Sequence, residues 1–81
     1  MITKERYNQI KERNKDNLML CYEIFVESQT NQIPFQVFQQ AFPQWLVLMQ
    51  PDVYVMNGGD TNKVIQVGAE KIIKYFDDKF N

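Results

Sequence analysis

Pro51-Asp52-Val53-Tyr54-Val55-Met56-Asn57-Gly58-Gly59-Asp60 is the stretch on which the fold class turns. Val53 to Met56 is rich in β-branched and aromatic side chains, the composition of a strand. Asn57-Gly58-Gly59-Asp60 is the strongest turn signal in the chain, because Gly and Asn accept positive φ at little cost. Gln50-Pro51-Asp52 is turn chemistry as well, with Pro suited to the second position of a turn. The reading is therefore turn, strand, turn, with Lys63-Val64-Ile65-Gln66-Val67 as the returning strand. Trp45-Leu46-Val47-Leu48-Met49, just upstream, fits either a buried strand or a short helix opened by Pro43. The β-rich context favours the strand. A rival reading runs one helix from Asp60 to Phe80, since Ile65, Ala69, Ile72 and Phe76 also share a face. It ranks second, because it buries Gly68 inside a helix and leaves Val53 to Met56 without the nearest pairing partner.

Outward from this stretch the periodicity changes. Gly68-Ala69-Glu70 opens a C-terminal helix in which Ala69, Ile72, Ile73, Phe76 and Phe80 form an apolar stripe opposite Lys71, Lys74, Asp77 and Asp78. Toward the N-terminus, Pro34 suits the first turn of a helix carrying Phe35, Phe38 and Phe42 at i, i+3 and i+7, stopped near Pro43. Gln29-Thr30-Asn31-Gln32 is a loop by composition. Before it, Thr3 to Gln29 reads as a long helix with Thr3 as N-cap. Within it, Leu18 to Val26 has only Glu23 among nine otherwise apolar or aromatic residues, which predicts a central helix surrounded on most sides. Asn14-Lys15-Asp16-Asn17 is a kink or a fresh start, and the polar turns before it are expected to project from the body. The predicted fold is α+β over residues 1–81 as one domain: a long N-terminal helix, a short second helix, a small antiparallel β hairpin or three-stranded meander, and a C-terminal helix.

Composition excludes more function than it suggests. The chain has 81 residues, net charge −1, one cysteine and no histidine. Near-neutrality argues against a surface that attracts nucleic acid or acidic lipid as a whole. The absence of histidine removes the commonest general base and zinc ligand together. Cys21 has no second cysteine to pair with and lies on the apolar face of the central helix, where a thiol acts as a small hydrophobe. A lone thiol fits a reducing, cytoplasmic setting. The charged N-terminus does not resemble a signal peptide, and no apolar run approaches the roughly 18–20 residues of a membrane span. The bias to Asn, Lys, Gln and Ile points to an AT-rich bacterial or phage genome.

The remaining motifs have ordinary readings. Asn57 to Asn62 lacks the Gly-Lys-Ser/Thr of a phosphate loop and the acidic alternation of a calcium loop. Asp77 and Asp78 are adjacent, so a helix splays them apart. Lys4, Arg6, Lys11, Arg13 and Lys15 are interleaved with Glu5, Glu12 and Asp16, as on a solvated face. No catalytic residue, metal ligand or cofactor site is expected.

One feature stands out: the 24 residues from Ser28 to Pro51 carry no charge and include seven glutamines. Charge depletion with aromatic enrichment is the composition of an interface core. The expectation is a non-enzymatic protein-interaction module, binding itself or a protein partner, with Phe35, Phe38, Phe42 and Trp45 at the interface. The alternative is a winged-helix DNA-binding regulator, with 34–42 and 43–49 as its helix pair and the turn at Asn57-Gly58-Gly59 as wing. Nucleic acid is the less favoured partner, because 43–49 offers no Lys or Arg to phosphates or guanine.

Overall fold

Asn14 and Asp16 break the expected long helix in two. In the computed structural model, which describes residues 2–29 and 31–80, α1 spans Lys4–Arg13 and α2 spans Asn17–Glu27. Thr3 caps α1 as expected, its hydroxyl accepting from the Arg6 N–H at 3.1 Å. Asn14 ends that helix in extended backbone while its Nδ2 donates to the Ile10 carbonyl at 3.1 Å. Asp16 then caps α2, Oδ1 accepting from the N–H groups of Leu18 and Met19 at 2.9 and 3.0 Å. Short polar side chains that can bond their own backbone compete with the helical ladder, and here they win. The first turns do not project: α1 folds back on α2 and buries Tyr7 and Ile10. Of the loop expected at 29–32, Thr30 lies outside the described residues.

The expected β hairpin or meander is absent, and no strand occurs among the described residues. Trp45 to Met49 belongs to α3, Phe35–Met49; Val53 to Met56 to α4, Pro51–Met56; and Lys63 to Val67 to α5, Thr61–Phe80. The fold is all-α.

Three local reasons account for the error. First, α3 runs through Pro43. An interior Pro costs about 3 kcal/mol, but continuing the helix buries Leu46 and packs Trp45 and Met49 on the core. Each large apolar side chain so buried contributes about 1.5–3 kcal/mol, so together they outweigh the Pro.

Second, the Asn57-Gly58-Gly59 turn stops a helix rather than joining strands. Gly58, at φ +60°, donates to the Val55 carbonyl at 3.1 Å, and Gly59 donates to the Tyr54 carbonyl at 3.3 Å. This is the Schellman pattern of a helix C-terminus. Asp60 immediately caps α5, Oδ1 accepting from Asn62 and Lys63 N–H at 3.1 and 3.3 Å. Positive φ serves hairpins and helix stops alike, so the signal for a turn was sound and its assignment was not.

Third, Gly68 sits inside α5 for a packing reason. A Cβ there would lie 2.1 Å from Leu46 Cδ2. The glycine costs about 1 kcal/mol of helix propensity and lets α3 and α5 approach closely.

α5 is consequently the element around which the others pack, not α2. It lies against α2, α3 and α4 and contributes Val64, Gly68, Ala69, Ile72, Ile73 and Phe76 to the interior. The core continues through Leu20, Cys21 and Ile24 of α2, Phe38, Phe42 and Leu46 of α3, and Val53 of α4. Cys21 is fully buried as expected, its Sγ 3.7 Å from the Ala69 carbonyl. Burial pushes its thiol up to about 12, leaving almost no thiolate at neutral pH.

Candidate interaction surface

The four aromatics expected at an interface are brought together, but they face inward. Phe38 and Phe42 are buried, and Phe35 and Trp45 are half-buried against the same core. Phe38 stands 5.2 Å from Phe25 and 5.3 Å from Phe42, centroid to centroid. Trp45 meets Phe25 edge-on at 5.4 Å, and Phe35 meets Tyr22 edge-on at 5.3 Å. Tyr22 in turn donates a short hydrogen bond to the Ile33 carbonyl. The excess of rings therefore glues α2 to α3. Phe38 and Phe42 cannot touch a partner unless this cluster opens.

What faces outward is the other side of α3. Val37, Gln40, Gln44 and Val47 recur at i, i+3, i+7 and i+10, the spacing of a helical seam. All four are exposed, and Leu48 beside them is 84% exposed. α4 packs on α3 with Val53 in the common core, while Val55 and Met56, each 77% exposed, project to solvent. A groove of ≈ 500 Å³ runs between the elements, lined by Gln40, Pro43, Gln44, Val47, Tyr54 and Thr61. None of these residues is Asp, Glu, Lys or Arg. Leu48 and Val55 adjoin the groove-lining Val47 and Tyr54 in sequence. The surface is held in shape by the Schellman stop, since Tyr54 packs on Gly59 where a Cβ would lie 3.4 Å from its hydroxyl.

Sequence reasoning missed Leu48, Val55 and Met56 because a strand reading sends alternate side chains into a sheet. The signal that finds them is helical. A six-residue helix with one buried position, Val53, necessarily turns its neighbours out.

A larger cleft of ≈ 590 Å³ between α2, α3 and α5 has Asp16, Asn17, Gln39, Asn62, Gln66 and Glu70 in its lining. Of the five cations at the N-terminus, three are committed to carboxylates. Arg6 pairs with Glu27 at 3.0 Å, Arg13 with Glu23 at 2.5 Å and Lys11 with Asp77 at 2.7 Å. The Lys11 hydrogen bond holds Asp77 below the usual carboxylate range, and the Tyr7 hydroxyl, donating to the same oxygen at 2.7 Å, adds to it. Burial raises Tyr7 in turn, with Asp77 adding to that. These groups fasten α1 to α5. Among the described residues there is no group of three or more His, Cys, Asp or Glu able to hold a metal, and no helix long and apolar enough to cross a membrane. A smaller groove of ≈ 270 Å³ between α2, α3 and α5 takes the outer edge of Trp45 together with Met49 and Tyr75. It is mostly apolar but has Lys79 in its wall.

No protein-family model, curated protein or solved structure matches the chain. The surface is therefore read from its own chemistry.

Proposed function

We propose that this protein is a small non-enzymatic interaction module, acting by binding itself or another protein through the outer face of α3 and α4. The carrying observation is that a fifteen-residue helix reaches solvent without one charged side chain on it. A solvated helix face ordinarily carries Lys and Glu, and an apolar-all-round helix is ordinarily enclosed. Here the interior face is covered by α2 and α5, and the exterior face is not. Scattered exposed aliphatics need no explanation in any protein. Leu48, Val55 and Met56 are each more than three-quarters exposed and lie within nine residues of one another along the chain.

The DNA-binding alternative loses its parts. Its wing required a hairpin where α4 and α5 stand, and its helix pair is the single helix α3. We place the module in the cytoplasm on the strength of its single unpaired thiol.

A photo-crosslinking residue placed in turn at positions 48, 56 and 71 tests the proposal in the cell that makes the protein. Lys71 is on the exposed charged side of α5. Protein adducts, to itself or to another chain, are expected from 48 and 56 and not from 71. Adducts absent at all three, or equally abundant at all three, would overturn it.

A further inference from the structure

We infer that the occupant of the α3–α4 surface is a second copy of this chain, packed face to face through Val37, Gln44, Val47, Leu48, Val55 and Met56. The inference rests on the interaction-module reading and names its partner. Three observations carry it.

The first is charge. A partner bringing Lys, Arg, Asp or Glu into a groove lined by Gln40, Pro43, Gln44, Val47, Tyr54 and Thr61 would bury that charge unpaired, at a cost of several kcal/mol. The complement has to be uncharged. Eighteen of the chain's nineteen charged residues lie outside 28–59, so a second copy offers an uncharged complement in this same surface. Asp52, the exception, is exposed in the first turn of α4 and stays solvated if it falls on the rim.

The second is hydrogen bonding. Each glutamine amide is donor and acceptor at once, so Gln40 and Gln44 of one copy are satisfied by the same residues of another across a two-fold axis. Polar residues within an apolar helical seam also set its register.

The third is area. Leu48, Val55 and Met56 with Val37, Val47 and Tyr54 present on the order of 500 Å² of side chain, as large as the biggest apolar patch on a typical monomer, which is often functional. A standard interface buries about 800 Å² per partner, and these side chains supply the larger part of it. The expectation is a dimer that forms at micromolar concentration.

Sedimentation analysis of the full chain from low to high micromolar concentration tests this. A reversible monomer–dimer equilibrium is expected. It should persist when salt rises from about 0.15 to about 1 M, because no ion pair is involved. Leu48→Glu and Met56→Glu should each raise the dimer Kd about tenfold or more, with the helical circular dichroism and thermal midpoint of the monomer retained, since both side chains are exposed. Lys71→Glu should leave the Kd unchanged. A monomer at every concentration would overturn the inference, as would a dimer indifferent to both substitutions or one that salt dissociates. If the chain is monomeric while crosslinks from position 48 reach a different protein, the second-copy inference falls and the interaction module stands.

Discussion

The α1–α2 hairpin and the α3–α4 corner are both helical pairs packed on α5, yet they are held by opposite means. The hairpin is stitched by Arg6–Glu27 and Arg13–Glu23 and fastened to α5 by Lys11, Asp77 and Tyr7. The corner has no ion pair among its described residues and is held by Phe42, Leu46 and Val53 within and a Schellman stop at its end. The difference shows where each pair meets water. Charges on the hairpin keep its outer face solvated and end its interactions there. The outer face of α3 sets Gln40 and Gln44 among Val37, Val47 and Leu48, so it meets water with amides and aliphatics and no charge.

The sharpest way to break the comparison is to truncate both faces of α3. Phe42→Ala should cost about 3–5 kcal/mol in urea unfolding, as loss of a fully enclosed ring does, whereas Leu48→Ala in dilute solution should change stability by less than about 0.5 kcal/mol. Equal losses would mean that the two faces are not inside and outside. Next in size, Gly68→Ala should destabilise by about 1–3 kcal/mol through overpacking against Leu46, despite its better helix propensity. A stabilised Gly68→Ala would show that α3 can back away from α5.

The charged half is probed by pH. Removing the Tyr7 hydroxyl with Tyr7→Phe should cost about 1–2 kcal/mol near neutrality. Because the carboxyl of Asp77 is held below its ordinary range in the folded state, its contribution is complete above the unfolded aspartate value. It is lost as pH falls through the lower folded one. The gap between wild type and Asp77→Asn should therefore close on acidification below about pH 4. A gap that is constant down to strong acid would mean that Asp77 acts by shape alone. Smallest of all, a double-mutant cycle on the exposed Arg13–Glu23 pair should give about 0.2–1 kcal/mol and fade with salt. A larger, salt-resistant coupling would make the hairpin's ion pairs structural in the way the corner's rings are.

Much of this was legible residue by residue. Thr3 as a cap and Cys21 and the Ala69, Ile72, Ile73, Phe76 stripe as interior follow from local chemistry. Asn14 to Asn17, by contrast, reads as a kink or fresh start in one favoured long helix that is in fact divided there. What misled was Val53 to Met56, whose β propensity is a preference for a half-buried pleated surface that the fold does not supply. Of the four residues expected at an interface, Phe38 and Phe42 are turned inward and Phe35 and Trp45 are half-buried. Phe35, Phe38, Phe42 and Trp45 are the largest side chains in the uncharged stretch, and size gives no indication of which side of a helix is covered.

By itself, then, the sequence determined the Thr3 cap, the apolar stripe of the C-terminal helix and an uncharged middle rich in large apolar side chains. Only the tertiary structure decided whether Asn57-Gly58-Gly59 joins strands or ends a helix, why Gly68 is inside α5, and which half of α3 is left bare. Those outcomes depend on contacts between residues distant in the chain, above all Leu46 against Gly68. Local propensities of a few tenths to about 1 kcal/mol are overruled by burying one more large side chain.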